Sequence, residues 1–128
     1  MNYFTYEYPF PLEGGGSLPG ITVAYHTYGR LNKEGTNVVW VCHALTANSD
    51  AAHWWPGVVG DKGPIHPDKY FIVCANILGS CYGTTGPLSA DPGKTAITGA
   101  APREVDPLYR YPAEGVPYYT DFPAITIR

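Results

Sequence analysis

The sequence predicts an α/β fold in which an antiparallel hairpin leads into parallel strands. Three observations carry this reading: two alternating runs flank a glycine-rich turn, two continuous apolar runs follow, and the stretch between those apolar runs is long enough for a crossover. In order, "NYFTYEY" (2–8) alternates aromatic and polar residues and "PLEGGGSLPG" (11–20) supplies turn residues. "ITVAYHTYG" (21–29) then alternates again, with Ile21, Val23 and Tyr25 on one face. Period-2 runs around such a turn predict a half-exposed antiparallel hairpin.

After the polar loop "RLNKEGTN" (30–37), "VVWVC" (38–42) and "YFIVCA" (70–75) are continuously apolar, the pattern of strands covered on both faces in a parallel sheet. Residues 43–69 supply the connection parallel neighbours require, and Ser49 or Asp50 can cap a short helix before Pro56 interrupts it. From Thr84 to Arg128 the chain is rich in Pro, Gly and Tyr with no sustained helical period, either a functional excursion or a sign of missing context. Tyr109, Tyr111, Tyr118 and Tyr119 cluster there, and either pack along the core or bind a partner.

A chain of 128 residues supports one domain or part of one. Its 45% hydrophobic content argues against disorder. No apolar run reaches the roughly 18 residues of a membrane span. The N-terminus "MNYFTYEYPF" lacks the basic region of a signal peptide, so a cytoplasmic location is the default. A net charge of −3 with 8 scattered Lys and Arg leaves no basic stripe for nucleic acid. Cys42 and Cys74 sit in apolar runs, where a thiol serves as a small buried hydrophobe, and no disulfide framework is legible. His26, His43, His53 and His66 lack the spacing of a zinc site, so no metal is expected.

Gly79-Ser80-Cys81-Tyr82-Gly83 has the outline of a nucleophile elbow, which requires a strand entering the turn and a helix leaving it. The glycines and prolines of "YGTTGPLSADPG" (82–93) forbid that helix, so Cys81 reads as a loop residue. His43-Ala44-Leu45-Thr46 instead lies at the carboxyl end of an apolar strand, where open α/β sheets build ligand crevices. A plain strand-to-loop transition, with His43 in a structural hydrogen bond, is an equal reading of those four residues alone.

Together, "YHTYGRLN" (25–32), "VVWVCHALTANSDAAHWWPGVVG" (38–60), "DKYFIVCANILGSCYGTTGPLS" (68–89) and "FPAITIR" (122–128) closely resemble the N-terminal part of the homoserine O-acetyltransferase family. These are acyltransferases of the α/β-hydrolase superfamily, and the resemblance runs from about Tyr3 to Arg128. It implies an incomplete α/β-hydrolase fold and a ping-pong transfer of acetyl from acetyl-CoA to the hydroxyl of L-homoserine, on the route to methionine. No permanently bound cofactor is implied. The superfamily's Ser, Asp and His come in that chain order. The family's G-x-S-x-G elbow follows the segment resembling "FPAITIR", so the nucleophile is absent here. The amide of Leu45 or Thr46 is left as an oxyanion-hole donor. Asn76, Gly79, Gly83 and Thr84 are left as crevice-rim and buttressing candidates, and Trp54 and Trp55 as core or crevice wall.

The chain is therefore expected to be inactive alone and to aggregate or depend on a companion chain. The complete enzyme is expected to be a homodimer acting on small molecules, with no nucleic-acid or membrane partner. A truncation or proteolytic fragment, one half of a two-chain enzyme, and a free-standing non-catalytic binding module all fit the length. Within the superfamily, an acyltransferase with a succinyl donor or serine acceptor, or an esterase, are the alternatives.

Overall fold

A computed structural model describes residues 1–93, 118 and 121–126. Its elements are β1 (Asn2–Tyr6), β2 (Phe10–Pro11), β3 (Ser17–Leu18), β4 (Ile21–Tyr28), β5 (Val38–Val41), α1 (Ala51–Trp54) and β6 (Phe71–Ala75). One sheet has the order β1-β4-β6-β5, and β2 with β3 forms a separate two-stranded ribbon. The chain divides into two compact units, Met1–Phe4 with Ala24–Asn76, and Thr5–Val23 with Ile77–Arg128. Among the described residues no helix is long and apolar enough to cross a membrane.

In the first unit β5 and β6 run parallel, Val38 opposite Phe71 through Val41 opposite Cys74. β4 pairs antiparallel with the other edge of β6, from Tyr25 opposite Ala75 to Tyr28 opposite Ile72. The parallel pair obliges the chain to return to the starting end of the sheet between residues 42 and 70. That crossover folds onto one face. There Val41, Ala51, Val59, Ile72 and Cys74 form the buried cluster, with Tyr28, Val39, Trp54, Ile65 and Tyr70 packed around it. Asn37 fixes the starting end: its Nδ2 donates to the carbonyls of Arg30 and Lys69 at 2.8 and 3.2 Å, while its own carbonyl accepts from Phe71 at 2.9 Å.

Coverage on both faces does not hold for β5. Val38 and Trp40 are 48% and 62% exposed while Val41 is buried. The crossover covers only the face that carries Val39 and Val41, so the strand alternates despite its uniformly apolar sequence. Cys42 likewise is exposed and Cys74 buried, because β5 ends at Val41 and Cys42 has already left the ladder. Burial pushes the Cys74 thiol up to about 11, with smaller contributions from Cys42 and Asp50. Since the thiolate is the reactive form, a neutral thiol reagent should label Cys42 and Cys81 rapidly and Cys74 only on unfolding, which mass spectrometry of the labelled chain checks.

The helix in the crossover is a single turn, and neither expected cap acts as one. Asp50 occupies the N-cap position without a side-chain capping bond. Its carboxylate accepts the Tyr28 hydroxyl at 2.7 Å instead, and the Ser49 hydroxyl is engaged by other partners. On β4 the alternation is present: Ala24, fully buried, and Tyr28, with His26 between them, share the core-facing side, and Ile21, Val23 and Tyr25 share the other.

In the second unit the glycine-rich turn carries its own ribbon, Phe10 opposite Leu18 and Pro11 opposite Ser17, with Leu18 buried. The expected simple hairpin turn is thus a longer excursion. The hairpin pairing survives around it: β1 adjoins β4, Asn2 Nδ2 donates to Thr27 Oγ1, and the Thr5 and Thr22 hydroxyls lie 3.3 Å apart, an antiparallel order. Loop 77–89 hangs on the start of β4, since Thr85 donates its N–H to the Thr22 carbonyl at 2.8 Å and accepts the Thr22 N–H on its hydroxyl at 2.7 Å. Tyr118 is buried, with its ring edge-on to Phe122 at 5.5 Å. Tyr109, Tyr111 and Tyr119 lie outside the described residues.

Candidate functional site

Because β5 and β6 are parallel, the segments after Val41 and Ala75 leave the sheet at one end. After β5, His43 is buried and its Nδ1–H donates to the Ala44 carbonyl at 2.8 Å. That carbonyl also accepts the Ala47 N–H at 2.9 Å, closing a turn with Leu45 and Thr46 at its centre. Leu45 is 98% exposed, so nothing apolar holds it. The amides of Leu45 and Thr46 have no hydrogen-bond partner among the described residues. An amide at the strand's carboxyl end without an internal partner is what an oxyanion donor requires.

Past the turn the chain is tied down. The Asn48 carbonyl accepts Trp54 Nε1–H at 2.8 Å, and Asn48 Oδ1 accepts the Asp50 N–H at 2.8 Å. Ser49, fully buried, donates its N–H to Asn76 Oδ1 at 2.7 Å, and its hydroxyl accepts from Asn76 Nδ2 at 3.0 Å. His26 Nδ1 lies 2.9 Å from the same hydroxyl, and its ring stacks on Tyr28 at 6.3 Å. Tyr28 in turn holds Asp50, and burial followed by this bond pushes its phenol well above the usual range.

Burial and then the N-terminal charge hold His26 below its ordinary 6.5, outweighing the opposing pull of Asp50 and a Ser49 hydrogen bond. The sign of the linkage follows. As pH falls below about 6.5 the unfolded chain takes up a proton that the folded chain resists, so this contribution is whole above that pH and is lost on acidification. The urea midpoint should therefore drop between pH 7.5 and 5.5, and His26→Asn should flatten the drop.

The structure brings Leu45, Thr46 and Asn76 into one unit, with Ser49 as the link. Asn76 is not a rim residue: it is 2% exposed, and both ends of its amide bind Ser49. Gly79, Gly83 and Thr84 belong to the second unit. There both glycines take positive φ, 92° and 90°, and Thr84 is buried, which makes them formers of the turn. Cys81 is exposed on a run of bends, and no helix follows it among the described residues. Trp54 packs on the core cluster, and Trp55 is exposed and stacked on it at 5.6 Å. Sequence reasoning missed His26 and Ser49. The available signal was His26 in phase with Ala24 and Tyr28 on the core-facing side of β4.

No protein-family model matches the chain. A homoserine O-acetyltransferase from Trichormus variabilis is 46% identical over 98% of this chain, and one from Chlorobaculum tepidum is 47% identical over the same share. Each match spans only 30% of the relative's length. The chain is homologous to an N-terminal portion of the homoserine O-acetyltransferases. The crystal structure of the homoserine O-acetyltransferase from Bacillus anthracis superposes with a TM-score of 0.73 at 28% identity, covering 98% of this chain and 32% of that one. The acetyl esterase MekB superposes with a TM-score of 0.56 at 27% identity, over 68% of this chain and 26% of its own. The homoserine O-acetyltransferase-like segment thus has an α/β-hydrolase fold.

Proposed function

We propose that this chain is the N-terminal portion of an acetyltransferase that moves acetyl from acetyl-CoA to the hydroxyl of L-homoserine, and that Leu45 or Thr46 supplies one oxyanion amide. A serine Oγ from the rest of the enzyme attacks the thioester carbonyl, giving its proton to a base. The carbonyl oxygen becomes an oxyanion that the amide stabilises, and the CoA thiol leaves with that proton. The homoserine hydroxyl then attacks the acyl-serine by the same route in reverse. The observation that carries this reading is the turn at residues 44–47 at the carboxyl end of a parallel strand, with two amides that have no partner among the described residues.

The nucleophile, base and acid belong to sequence beyond these residues, in the same polypeptide or in a companion chain, so the chain alone is inactive. The complete enzyme is a cytoplasmic homodimer on the route to methionine, with no bound cofactor. The test is a chimera in which this chain replaces the corresponding segment of the Chlorobaculum tepidum homologue. Transfer of acetyl from acetyl-CoA to homoserine supports the reading, and a folded chimera without it rejects the reading. Likeness to an acetyl esterase favours hydrolysis as a second reading. Acetate formed at an equal rate with and without homoserine would select it.

A further inference from the structure

We propose that Ser49 and Asn76, with His26 behind them, are positioning residues for acyl transfer: a clamp that fixes the loop of Leu45 and Thr46 to the end of the neighbouring strand. The proposal rests on the acetyltransferase reading. Asn76 is the first residue after β6, and its own N–H is held by the Ala24 carbonyl on β4 at 2.9 Å. Its backbone therefore belongs to the sheet while its side chain reaches the loop after β5. There Oδ1 takes the Ser49 N–H at 2.7 Å and Nδ2 donates to the Ser49 hydroxyl at 3.0 Å, a closed two-point contact. Ser49 is fully buried and Asn76 nearly so, which leaves no water to replace either bond.

A proton count extends the clamp by one member. The Ser49 hydroxyl already accepts from Asn76, and in the tautomer that leaves His26 Nδ1 unprotonated, this nitrogen, 2.9 Å away, takes the hydroxyl's own proton. With Nδ1 as acceptor, the run from Asn76 Nδ2–H through Ser49 O–H to His26 has every proton placed. Ser49 lies three residues after Thr46, and between them the Asn48 carbonyl is held by Trp54. The loop is thus fixed on the crossover side by Trp54 and on the sheet side by Asn76. Its turn amides, which have no partner among the described residues, are held in place from both sides. A displacement near 1 Å at a preorganised donor is enough to lose much of its effect on the transition state.

The experiment uses the chimera. Asn76→Ala and Ser49→Ala should each lower kcat at least about tenfold while KM for homoserine and acetyl-CoA stays within about twofold, since the loop acts on the transition state rather than on ground-state binding. Ser49→Thr, which keeps the hydroxyl, should retain kcat within about threefold. Amide exchange of residues 43–49 should accelerate in Asn76→Ala while that of residues 71–75 does not. Alanine variants with kcat within about twofold of the parent overturn the proposal. So does a loss accompanied by equal acceleration across residues 71–75, which marks general destabilisation. If the unmutated chimera folds but transfers no acetyl group, the acetyltransferase reading fails on its own. The clamp then stands or falls on exchange: acceleration confined to residues 43–49 upholds it, and its absence rejects it.

Discussion

Leu45→Pro in the chimera is expected to lower kcat about 100- to 1,000-fold, the loss seen when one oxyanion donor is removed. The substitution is clean for three reasons. Leu45 is almost fully exposed, so no packing is lost with its side chain. Its amide has no partner among the described residues, so no structural hydrogen bond is lost. The turn closed by Ala44 and Ala47 places it at the second position, where proline is favoured. Leu45→Ala is the control and should stay within about twofold of the parent, because it keeps the amide. If proline and alanine behave alike, Leu45 is not the donor and Thr46 is tested next. Proline at that third position would break the turn, so the probe there is a backbone ester, which removes the N–H and leaves the side chain. Neither substitution having an effect would remove the loop from the oxyanion hole altogether.

The loop was legible in the sequence as a place. Two apolar runs separated by residues 43–69 required a crossover, and the parallel pairing of Val38–Val41 with Phe71–Cys74 is what that spacing implied. Its support was not legible. The clamp joins residues 26, 49 and 76, one on each of three segments, and no local period or motif reports a bond between residues so far apart. The same limit explains the caps: Ser49 and Asp50 have the right chemistry to cap α1, but tertiary partners took both side chains. Strand burial failed for a different reason. Hydrophobic content reveals what a face could bury, whereas the exposure of Val38 and Trp40 is decided by which segments arrive to cover it. The β2–β3 ribbon was invisible because strands of two residues have no period to read.

Gly29→Ala is expected to destabilise the first unit strongly. Gly29 directly follows β4 with φ of 77°, a conformation that costs an L-residue about 1–2 kcal/mol. A Cβ there would also run into the carbonyl oxygens of Pro67 and Tyr70, both backbone atoms. Neither can rotate away, and Tyr70 directly precedes β6, so relief would require shifting the strand that pairs with both neighbours. Gly35 separates the two effects. Its φ is 68° but a Cβ there meets nothing within 4 Å, so Gly35→Ala carries the backbone cost alone. Urea unfolding of the chimera should therefore rank Gly35→Ala at a loss of about 1 kcal/mol and Gly29→Ala at least about 2 kcal/mol beyond it, the added part being overpacking. Equal losses at the two positions would mean that the Pro67–Tyr70 segment yields. The return of the crossover would then be softer than the close approach of Gly29 to those carbonyls requires.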